Sequence, residues 1–167
     1  MPVFDARLIT INELISRSTR YSHDDIATFA RMSMDQNPLH LDALRAQRAR
    51  FGEIIASGQQ TAAALMGMLA THFSRNSDGV PREMLCLNMN FAFKAPVFAE
   101  QDLQLRWRVT NVEPSTKLGG LIGHLDGSAS VVRGKPAVVA RGTILVTTPG
   151  PMPTLAPPSS PTLPPTP

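Results

Sequence analysis

The stretch that decides the fold runs from Gln59 to Phe73 and reads QQTAAALMGMLATHF. Apolar and small residues lie nearly all round the helix that this composition favours, and a helix without a continuous polar face is usually buried. The stretch is shorter and more interrupted than a membrane span, which needs about 20 consecutive apolar residues. It therefore predicts a buried central helix whose small residues let a sheet approach closely: Ala62, Ala63, Ala64 and Gly67.

Segments of alternating residues follow this helix and predict consecutive strands. Apolar residues occupy the odd positions over 85–93, which would place them on one face of a strand. The alternation is cleaner over 103–109, where charged and amide side chains fill the other positions. Two more strands are predicted over 118–132 and 137–146, and a turn at 133–135 joins them.

One early strand and two shorter helices are predicted ahead of the buried helix. The strand is placed at 8–14. Ser22 and Asp25 match a capping box, and the helix that they begin should end near Met34. The second helix is predicted over 42–52, which starts with a good N-cap aspartate and closes with a glycine.

Helices that come first and strands that follow in succession indicate an α+β fold with a largely antiparallel sheet. A long buried helix beside such a sheet indicates that the sheet wraps around it. We assign residues 1–147 to this single domain. Residues 148–167 are rich in proline, which removes backbone donors and disfavours helix in the preceding residue. This composition predicts a disordered or polyproline-like tail.

The composition excludes several classes of protein. A hydrophobic content of 43% with 17% charged residues is ordinary for a globular domain. The net charge of +3 comes from scattered basic residues, which does not favour a nucleic-acid binder but suits a small polyanionic ligand. With Cys86 as the single cysteine, no intrachain disulfide and no cysteine-based metal site of the usual type can form. No secretory signal pattern is visible, so we expect a cytoplasmic protein away from membranes.

Chemistry is concentrated in residues 35–58, which read DQNPLHLDALRAQRARFGEIIASG. Asp35 and His40 flank a compact turn that Asn37 and Pro38 favour. The turn can bring a carboxylate and an imidazole to one side of a pocket, where one group takes a proton while the other gives one. Equally, Asp35 can be a surface residue at a helix end and His40 a structural histidine, and the residues alone leave both interpretations open.

Gly58 lies where the buried helix should begin. Backbone N–H groups at a helix start lack intrahelical partners and carry the positive end of the helix dipole. They can hold a carbonyl oxygen that becomes partly negative during a reaction. The alternative is that Gly58 and Gly52 are only turn residues, and Asp42 is interpreted as an N-cap.

Two segments carry a resemblance to a known family. YSHDDIATFARMSMDQNPLHLD with the later FGEIIASG resembles the MaoC-like family, and especially its R-specific enoyl-CoA hydratases, whose motif is similar to D-x-N-P-L-H-x-D with F-G-x-x-I-x-x-G downstream. More weakly, the stretch over 90–109 looks like the family's F-x-x-P-V-x-x-G-D-x-L strand pair, with Gln101 where a glycine is frequent. The matching motif positions are Asp35, Asn37, Pro38, Leu39, His40, Asp42, Phe51, Gly52, Ile54 or Ile55, and Gly58.

The resemblance implies a hotdog fold, in which an antiparallel sheet wraps a long helix, and a homodimer or higher homo-oligomer. It implies an acyl thioester of coenzyme A, or of acyl carrier protein, as substrate, with no metal or redox cofactor. Asp35 and His40 would be the catalytic pair that adds water to, or removes it from, the acyl group. The substrate-binding residues would be Asn37, Ser57 and Gly58, the last through its backbone N–H.

Some positions depart from the pattern or lie outside it. Met34 stands where many relatives carry glycine, so its side chain would either pack behind the pocket or narrow it. His23, His72 and His124 match no motif position and are interpreted as structural or surface histidines. Four basic residues are candidates for phosphate binding, but we favour their interpretation as solvated surface charges: Arg45, Arg48, Arg50 and Lys94.

Two alternatives to a hydratase stay open. One is a non-catalytic module that binds acyl thioesters, against which the intact Asp35 and His40 argue. The other is a thioesterase, since related hotdog proteins hydrolyse thioesters, although the spacing of the motif favours hydration.

Overall fold

The computed structural model describes residues 4–76, 78–131 and 134–150, which form an α+β fold as predicted. A five-stranded antiparallel sheet has the order β1-β3-β4-β5-β2, and the longest helix, α4, contacts every strand of it. In chain order the elements are β1 (Leu14–Thr19), α1 (His23–Met32), α2 (Pro38–Leu41), α3 (Ala43–Arg48), α4 (Gly58–His72), β2 (Glu83–Phe93), β3 (Leu103–Ser115), β4 (Gly120–Val131) and β5 (Pro136–Thr147).

The alternation in β3 buries one face of the sheet against α4. Its four predicted core residues are almost completely covered: Leu103, Leu105, Trp107 and Val109. The Trp107 indole N–H donates a hydrogen bond to the Leu65 carbonyl of α4 (3.0 Å), which satisfies the buried indole. A side chain at Gly127 would lie 2.6 Å from the Trp107 ring, so glycine is required for the ring to lie flat across β4.

The central helix is covered by the sheet on one side only. Leu65, Met68 and Leu69 are buried, while Ala63 and Ala70 are exposed on the opposite side. The prediction of a helix buried all round is therefore wrong for the single chain. Small apolar residues occur on covered and uncovered helix faces alike, so composition cannot show which face of α4 the sheet covers. In the described part of the chain, no helix combines the length and the apolar character that crossing a membrane requires.

A bulge in β2 changes which residues face the core. The register with β5 shifts between Cys86 and Asn88, so the strand's two halves present opposite parities to the sheet. The predicted odd-numbered face is correct at Met89 and Phe91, which pack against the core. It is wrong at Leu85 and Leu87, which are 61% and 45% exposed, and Phe93 at the end of the strand is 56% exposed. One extra residue in a strand reverses the facing of everything beyond it, and the alternating sequence continues through the bulge without a signal.

The early strand lies later in the chain than predicted. Residues 8–14 form turns up to the first residue of β1, and Asn12 adopts a positive φ of 67°. Leu8 and Ile9 are both buried, which suits an irregular segment inserted into the core better than an alternating strand. β1 itself is an edge strand in which Ile15 alone is fully buried, so its hydrophobic pattern is too weak to identify it.

The remaining boundaries are close to the prediction. Helix α1 begins with the complete Ser22 capping box. Helix α3 is capped by Asp42 as expected, but it ends at Arg48 rather than near Gly52. In the predicted turn at 133–135, the Gly134 N–H donates to the Val131 carbonyl (2.8 Å), while Arg133 lies outside the described residues. Residues 151–167 also lie outside them, so the prediction for the tail stays a prediction.

Arg82 anchors the N-terminal segment to the start of the sheet. Its buried guanidinium forms a bidentate pair with Asp78 (2.8 Å for both bonds) and donates to the backbone carbonyls of Arg7, Leu8 and Val80. The same contact lowers the pKa of the Asp78 carboxyl well below its usual range. The N–H groups on all three guanidinium nitrogens of Arg82 therefore have hydrogen-bond acceptors within the protein.

Replacing Arg82 with methionine should lower the free energy of unfolding by about 3 kcal/mol, because buried carbonyls lose their donor and Asp78 loses its counter-ion. Urea denaturation followed by circular dichroism would measure the change. Arg20→Met is the matched control, since Arg20 forms an exposed pair with Asp102 and should leave stability nearly unchanged. Equal effects of the two substitutions would contradict the anchoring role.

Candidate active site

The end of α1 directs Asp35 towards the interior. The Asp35 N–H donates to the Ala30 carbonyl (2.8 Å) and the Met34 N–H to the Arg31 carbonyl (3.2 Å), which together form a Schellman motif. Met34 occupies the left-handed position of this motif with φ of 60°, where glycine is the usual residue. Its side chain is 85% exposed, so it neither packs behind the pocket nor narrows it, and both expectations for it are wrong.

Met34→Gly should stabilise the protein by about 1 kcal/mol, since an L-residue in the left-handed region carries a strain of that order. Met32→Gly, at the last helical position of α1, should instead destabilise it by roughly 0.5–1 kcal/mol because glycine is a poor helix former. Thermal unfolding of the two variants would compare them, and a loss of stability in both would mean that the left-handed turn is unstrained.

Short-range hydrogen bonds shape the turn from Asp35 to His40. Asp35 Oδ1 accepts from the Asn37 N–H (3.1 Å), and Asn37 Oδ1 accepts from the Leu39 N–H (3.1 Å), capping the short helix α2. Pro38 occupies the first helical position, where its missing N–H costs nothing. Asn37 therefore orients the loop, and its side-chain oxygen is engaged in the cap.

His40 is buried and its tautomer is fixed by the backbone. Its Nδ1 lies 2.7 Å from the Ile55 carbonyl oxygen. A carbonyl only accepts hydrogen bonds, so Nδ1 must carry the proton, and in the neutral imidazole Nε2 presents a lone pair. Nε2 lies 3.4 Å from Asp35 Oδ2. When the imidazole is neutral, these two atoms are neighbouring acceptors, and each can accept a hydrogen bond from a single water molecule.

The segment from Ile55 to Ser57 links this pair to the start of α4. The Ile55 N–H donates to the Leu39 carbonyl (3.2 Å), and the Ala56 N–H donates to the Val97 carbonyl (2.8 Å). Ser57 is the N-cap of α4, and its buried hydroxyl accepts from the Gln60 N–H (3.3 Å). The backbone therefore continues from Ile55, whose carbonyl accepts from His40 Nδ1, directly into the start of α4. The first N–H groups of a helix have no intrahelical acceptor.

A cavity of about 360 Å³ opens at this helix start. The Phe93 ring lies against Gly58 so closely that a Cβ at Gly58 would be 2.7 Å from a ring carbon. Arg50 and Lys94 are the charged residues of the lining, and neither is in an ion pair with another described residue. The remainder of the lining is mainly apolar: Phe51, Ile55, Ala56, Ser57, Gly58, Thr61, Phe93, Ala95, Pro96, Val97 and Val138.

Comparison with known proteins assigns the chain to a family. The family described as MaoC like domain matches residues 9–122, more than half of the 167 residues. The chain belongs to the MaoC-like family. The matched range includes Asp35, His40 and Gly58, so the predicted site lies within the family domain.

Proteins similar to this MaoC-like chain include named hydratases and a dehydratase. An (R)-specific enoyl-CoA hydratase from Aeromonas caviae is 26% identical over 135 residues, which are 80% of this chain and 96% of the relative. A solved structure of an (R)-hydratase from the same organism has a TM-score of 0.69 at 25% identity, covering 84% of this chain and 98% of that one. A mitochondrial 3-hydroxyacyl-[acyl-carrier-protein] dehydratase from Solanum lycopersicum is 24% identical over 98 residues, 59% of this chain and 54% of its own length. The predicted hotdog fold is confirmed by the structural similarity.

His72 and His124 of this MaoC-like protein pair with other side chains and do not line the cavity at Gly58. His72 ends α4, about 20 Å from Gly58 at 1.5 Å per helical residue. Its Nε2 lies 2.6 Å from Glu13 Oε1, and this hydrogen bond is the main cause that lowers the pKa of Glu13. The stability from that carboxylate is present above its ordinary pKa of 4.5 and is lost as the pH falls through its lowered value. His124 pairs with Glu113 on the surface.

Sequence reasoning missed the groups that complete the site. The Ile55 carbonyl fixes the His40 ring, yet a backbone acceptor leaves no residue signature. Phe93 was expected only as a strand residue, although the family-like F-x-x-P spacing marked its position. Of the phosphate-binding candidates, Arg50 and Lys94 line the cavity, whereas Arg45 lies 3.5 Å from Asp42. Among the described residues, no three His, Cys, Asp or Glu side chains gather as a metal site would require, and the expected lack of a cofactor stays a prediction.

Proposed function

We propose that this protein reversibly adds water to a trans-2-enoyl thioester and so interconverts it with the 3-hydroxyacyl thioester. The observation that carries the proposal is the convergence of His40 Nε2 and Asp35 Oδ2, 3.4 Å apart, with the imidazole tautomer fixed by the Ile55 carbonyl. A bound water that donates to both would present its own lone pair to an electrophilic carbon.

The reaction then needs one proton acceptor and one electron sink. As the water oxygen bonds to the β-carbon, one member of the pair takes a water proton and the other holds the second O–H. The double-bond electrons move to the α-carbon and onto the thioester oxygen, where the Gly58 N–H at the positive end of α4 stabilises the enolate-like charge. Return of the proton to the α-carbon completes the addition of one water, and dehydration is the same sequence reversed.

The cavity lining suits a thioester attached to a phosphate-bearing carrier. Its apolar walls accept an uncharged arm, and the cations Arg50 and Lys94 can meet phosphate oxygens at its mouth. Coenzyme A has this character, and so does the phosphopantetheine arm of acyl carrier protein. The relatives named for enoyl-CoA and for an acyl-carrier-protein substrate support the class and leave the choice of carrier to experiment. A cytoplasmic role in fatty-acid metabolism is part of the same proposal.

The apolar surface that this chain exposes suits contact with a second copy of the chain. The free edge strand β2 carries large apolar side chains that stay exposed in the single chain, with Phe93 at its end 56% exposed and Leu85 and Leu87 nearer its start 61% and 45% exposed. An edge strand with such residues invites pairing with another strand. The uncovered small-residue side of α4 adds further apolar surface. We therefore propose a homodimer through β2, which would bring Phe93 and the cavity next to the partner's sheet.

Turnover of purified protein with short and medium trans-2-enoyl-CoA substrates tests the proposal. Loss of the conjugated thioester absorbance, with formation of the R-3-hydroxyacyl thioester, is the expected result. Release of free coenzyme A would instead identify a thioesterase. Binding without any product, in folded protein, would reject the hydratase in favour of a non-catalytic module, and repeating the assay with acyl carrier protein thioesters would separate the two carriers.

A further inference from the structure

An apolar groove of about 450 Å³ lies between the N-terminal segment, the end of β3 and the start of β4. Ile9 and Leu121 line the groove and are buried, while Ile11, which also lines it, is 49% exposed. The described residues that line it carry no charge. Small domains expose few continuous apolar surfaces, and such a surface often marks a contact with another segment or molecule.

The apolar groove is separate from the candidate active site. One of its sides is formed by residues 4–11, which lead to Glu13, and Glu13 pairs with His72 at the end of α4. Gly58 is at the other end of that helix. The hydration proposed above uses no residue of the apolar groove, so an occupant of the groove need not be a substrate.

The C-terminal tail leaves the sheet beside this groove. Val146, near the end of β5, is opposite Leu121 of β4, and Leu121 is opposite Pro114 of β3. Residues that are directly opposite each other lie on the same face of a sheet. Neighbouring strands are about 4.8 Å apart, so the end of β5 is one strand away from Leu121 and two strands, or about 10 Å, away from Pro114. Both of these residues line the apolar groove.

The sequence after β5 favours a return of the chain over the sheet. Pro149 and Gly150 precede Pro151, and Pro-Gly and Gly-Pro steps are typical of turns. Residues 151–158 read PMPTLAPP. At about 3.1 Å per residue, these residues would span roughly 25 Å in a polyproline II conformation. This reach exceeds the distance of about 10 Å that separates the end of β5 from the apolar groove.

The tail and the apolar groove match in their chemistry. Residues 148–167 contain nine prolines and no charged residue, so docking them would remove no side-chain charge from water. Proline-rich segments bind apolar grooves at a small cost in conformational entropy, because the polyproline II conformation is largely formed beforehand. Phe4 and Pro114 supply rings in the groove lining against which such a segment can pack.

We propose that residues 151–158 dock in the apolar groove of the same chain, with Leu155 packed against Ile11 and the prolines packed against Phe4 and Pro114. A short tether keeps this segment near the groove at an effective concentration on the order of millimolar, so weak apolar contacts are sufficient to hold it. Docking covers the exposed side chain of Ile11 and connects the N-terminal segment to the chain that follows β5.

Thermal unfolding of the full chain tests the docking through a double-mutant cycle. Ile11→Asp and Leu155→Asp should each lower Tm by about 3 °C, because each replaces an apolar group of the contact by a charge. The double variant should unfold at the Tm of the Ile11→Asp variant, since either substitution already releases the tail. Additive effects of the two substitutions, or an unchanged Tm in Leu155→Asp, would overturn the proposal.

Leu163→Asp and Leu44→Asp are the matched controls. Leu163 is in the second half of the tail, and Leu44 is an exposed residue of α3 that does not line the apolar groove. Leu163→Asp should leave Tm within about 1 °C of the wild-type value, and the effect of Leu44→Asp should add to that of Leu155→Asp. Coupling of Ile11→Asp to Leu163→Asp, or to Val3→Asp at the N-terminus, would assign the groove to another segment and would overturn the proposal.

The methyl resonances of the apolar groove give a direct readout that does not depend on stability. In the full chain, Leu155→Asp should shift the methyl signals of Ile11, Val112 and Leu121, whereas Leu163→Asp should leave them unchanged. The shifts should be the same in dilute and concentrated protein, because the contact is within one chain. Shifts that require high protein concentration would place the tail of a second copy in the groove, and this result or the absence of any shift would overturn the proposal.

Discussion

Asp35→Asn is expected to lower kcat/KM for an enoyl thioester by about 10³-fold, within the range typical for loss of a general acid or base. The asparagine oxygen can still accept from the Asn37 N–H, so the turn should be preserved. Its amide NH2 would replace Oδ2 and point at His40 Nε2, from which Oδ2 is now 3.4 Å away. The substitution therefore removes a proton acceptor and also occupies the lone pair of the histidine. The absorbance assay measures the loss.

Asp42→Asn is the matched control for Asp35→Asn. Asp42 is in the same motif, but its carboxylate accepts from the Arg45 N–H as the N-cap of α3. Asparagine is an equally good N-cap, so activity and Tm should both stay near the wild-type values. An equal loss of activity in the two variants would mean that the total negative charge of the loop matters, rather than the position of the Asp35 carboxylate. Retention of most activity in Asp35→Asn, with the turn intact, would exclude Asp35 from the chemistry.

His40→Asn is expected to lower kcat/KM by about 10²–10⁴-fold with only a small loss of stability. The asparagine NH2 can replace Nδ1 as donor to the Ile55 carbonyl, but nothing replaces Nε2. His40→Ala should lose the same activity and in addition about 1–3 kcal/mol of stability, because the buried Ile55 carbonyl loses its donor. Comparing the two variants by turnover and by urea denaturation separates the chemical role of the ring from its structural role.

His72→Asn is the matched control for His40→Asn. His72 pairs with Glu13 at the other end of α4, so its replacement should cost about 1 kcal/mol of stability and leave kcat unchanged. If His40→Asn kept full activity while His40→Ala unfolded, the ring of His40 would be a structural element only. The hydratase proposal would then lack its proton acceptor at Nε2.

Local signals in the sequence were sufficient to find the candidate pair. The Asp35–His40 turn depends on Asn37 and Pro38, which act within a few residues of each other, and the structure has the hydrogen bonds that these residue types favour. The capping box at Ser22 and the alternation in β3 were equally local and equally well predicted. Interactions between residues of the same turn or the same strand produce a recognisable pattern in the local sequence.

Interactions between distant segments had no such pattern. The bulge after Cys86 reverses the facing of half of β2, although the apolar residues continue to alternate through it. The early strand was misplaced because Leu8 and Ile9 are buried by a turn held in part by Arg82, more than seventy residues later in the chain. In both cases the decisive partner belongs to another element, and the segment's own composition contains no record of it.

The sequence by itself determined the family-like motif, the α+β order of elements and the residues able to move protons. Only the tertiary structure decided that the Ile55 carbonyl fixes the His40 tautomer and that Phe93 covers Gly58 beside a cavity. The physical reason is range. Caps, turns and strand alternation depend on neighbours along the chain, whereas a tautomer and a cavity depend on which distant atoms folding brings within a few ångströms.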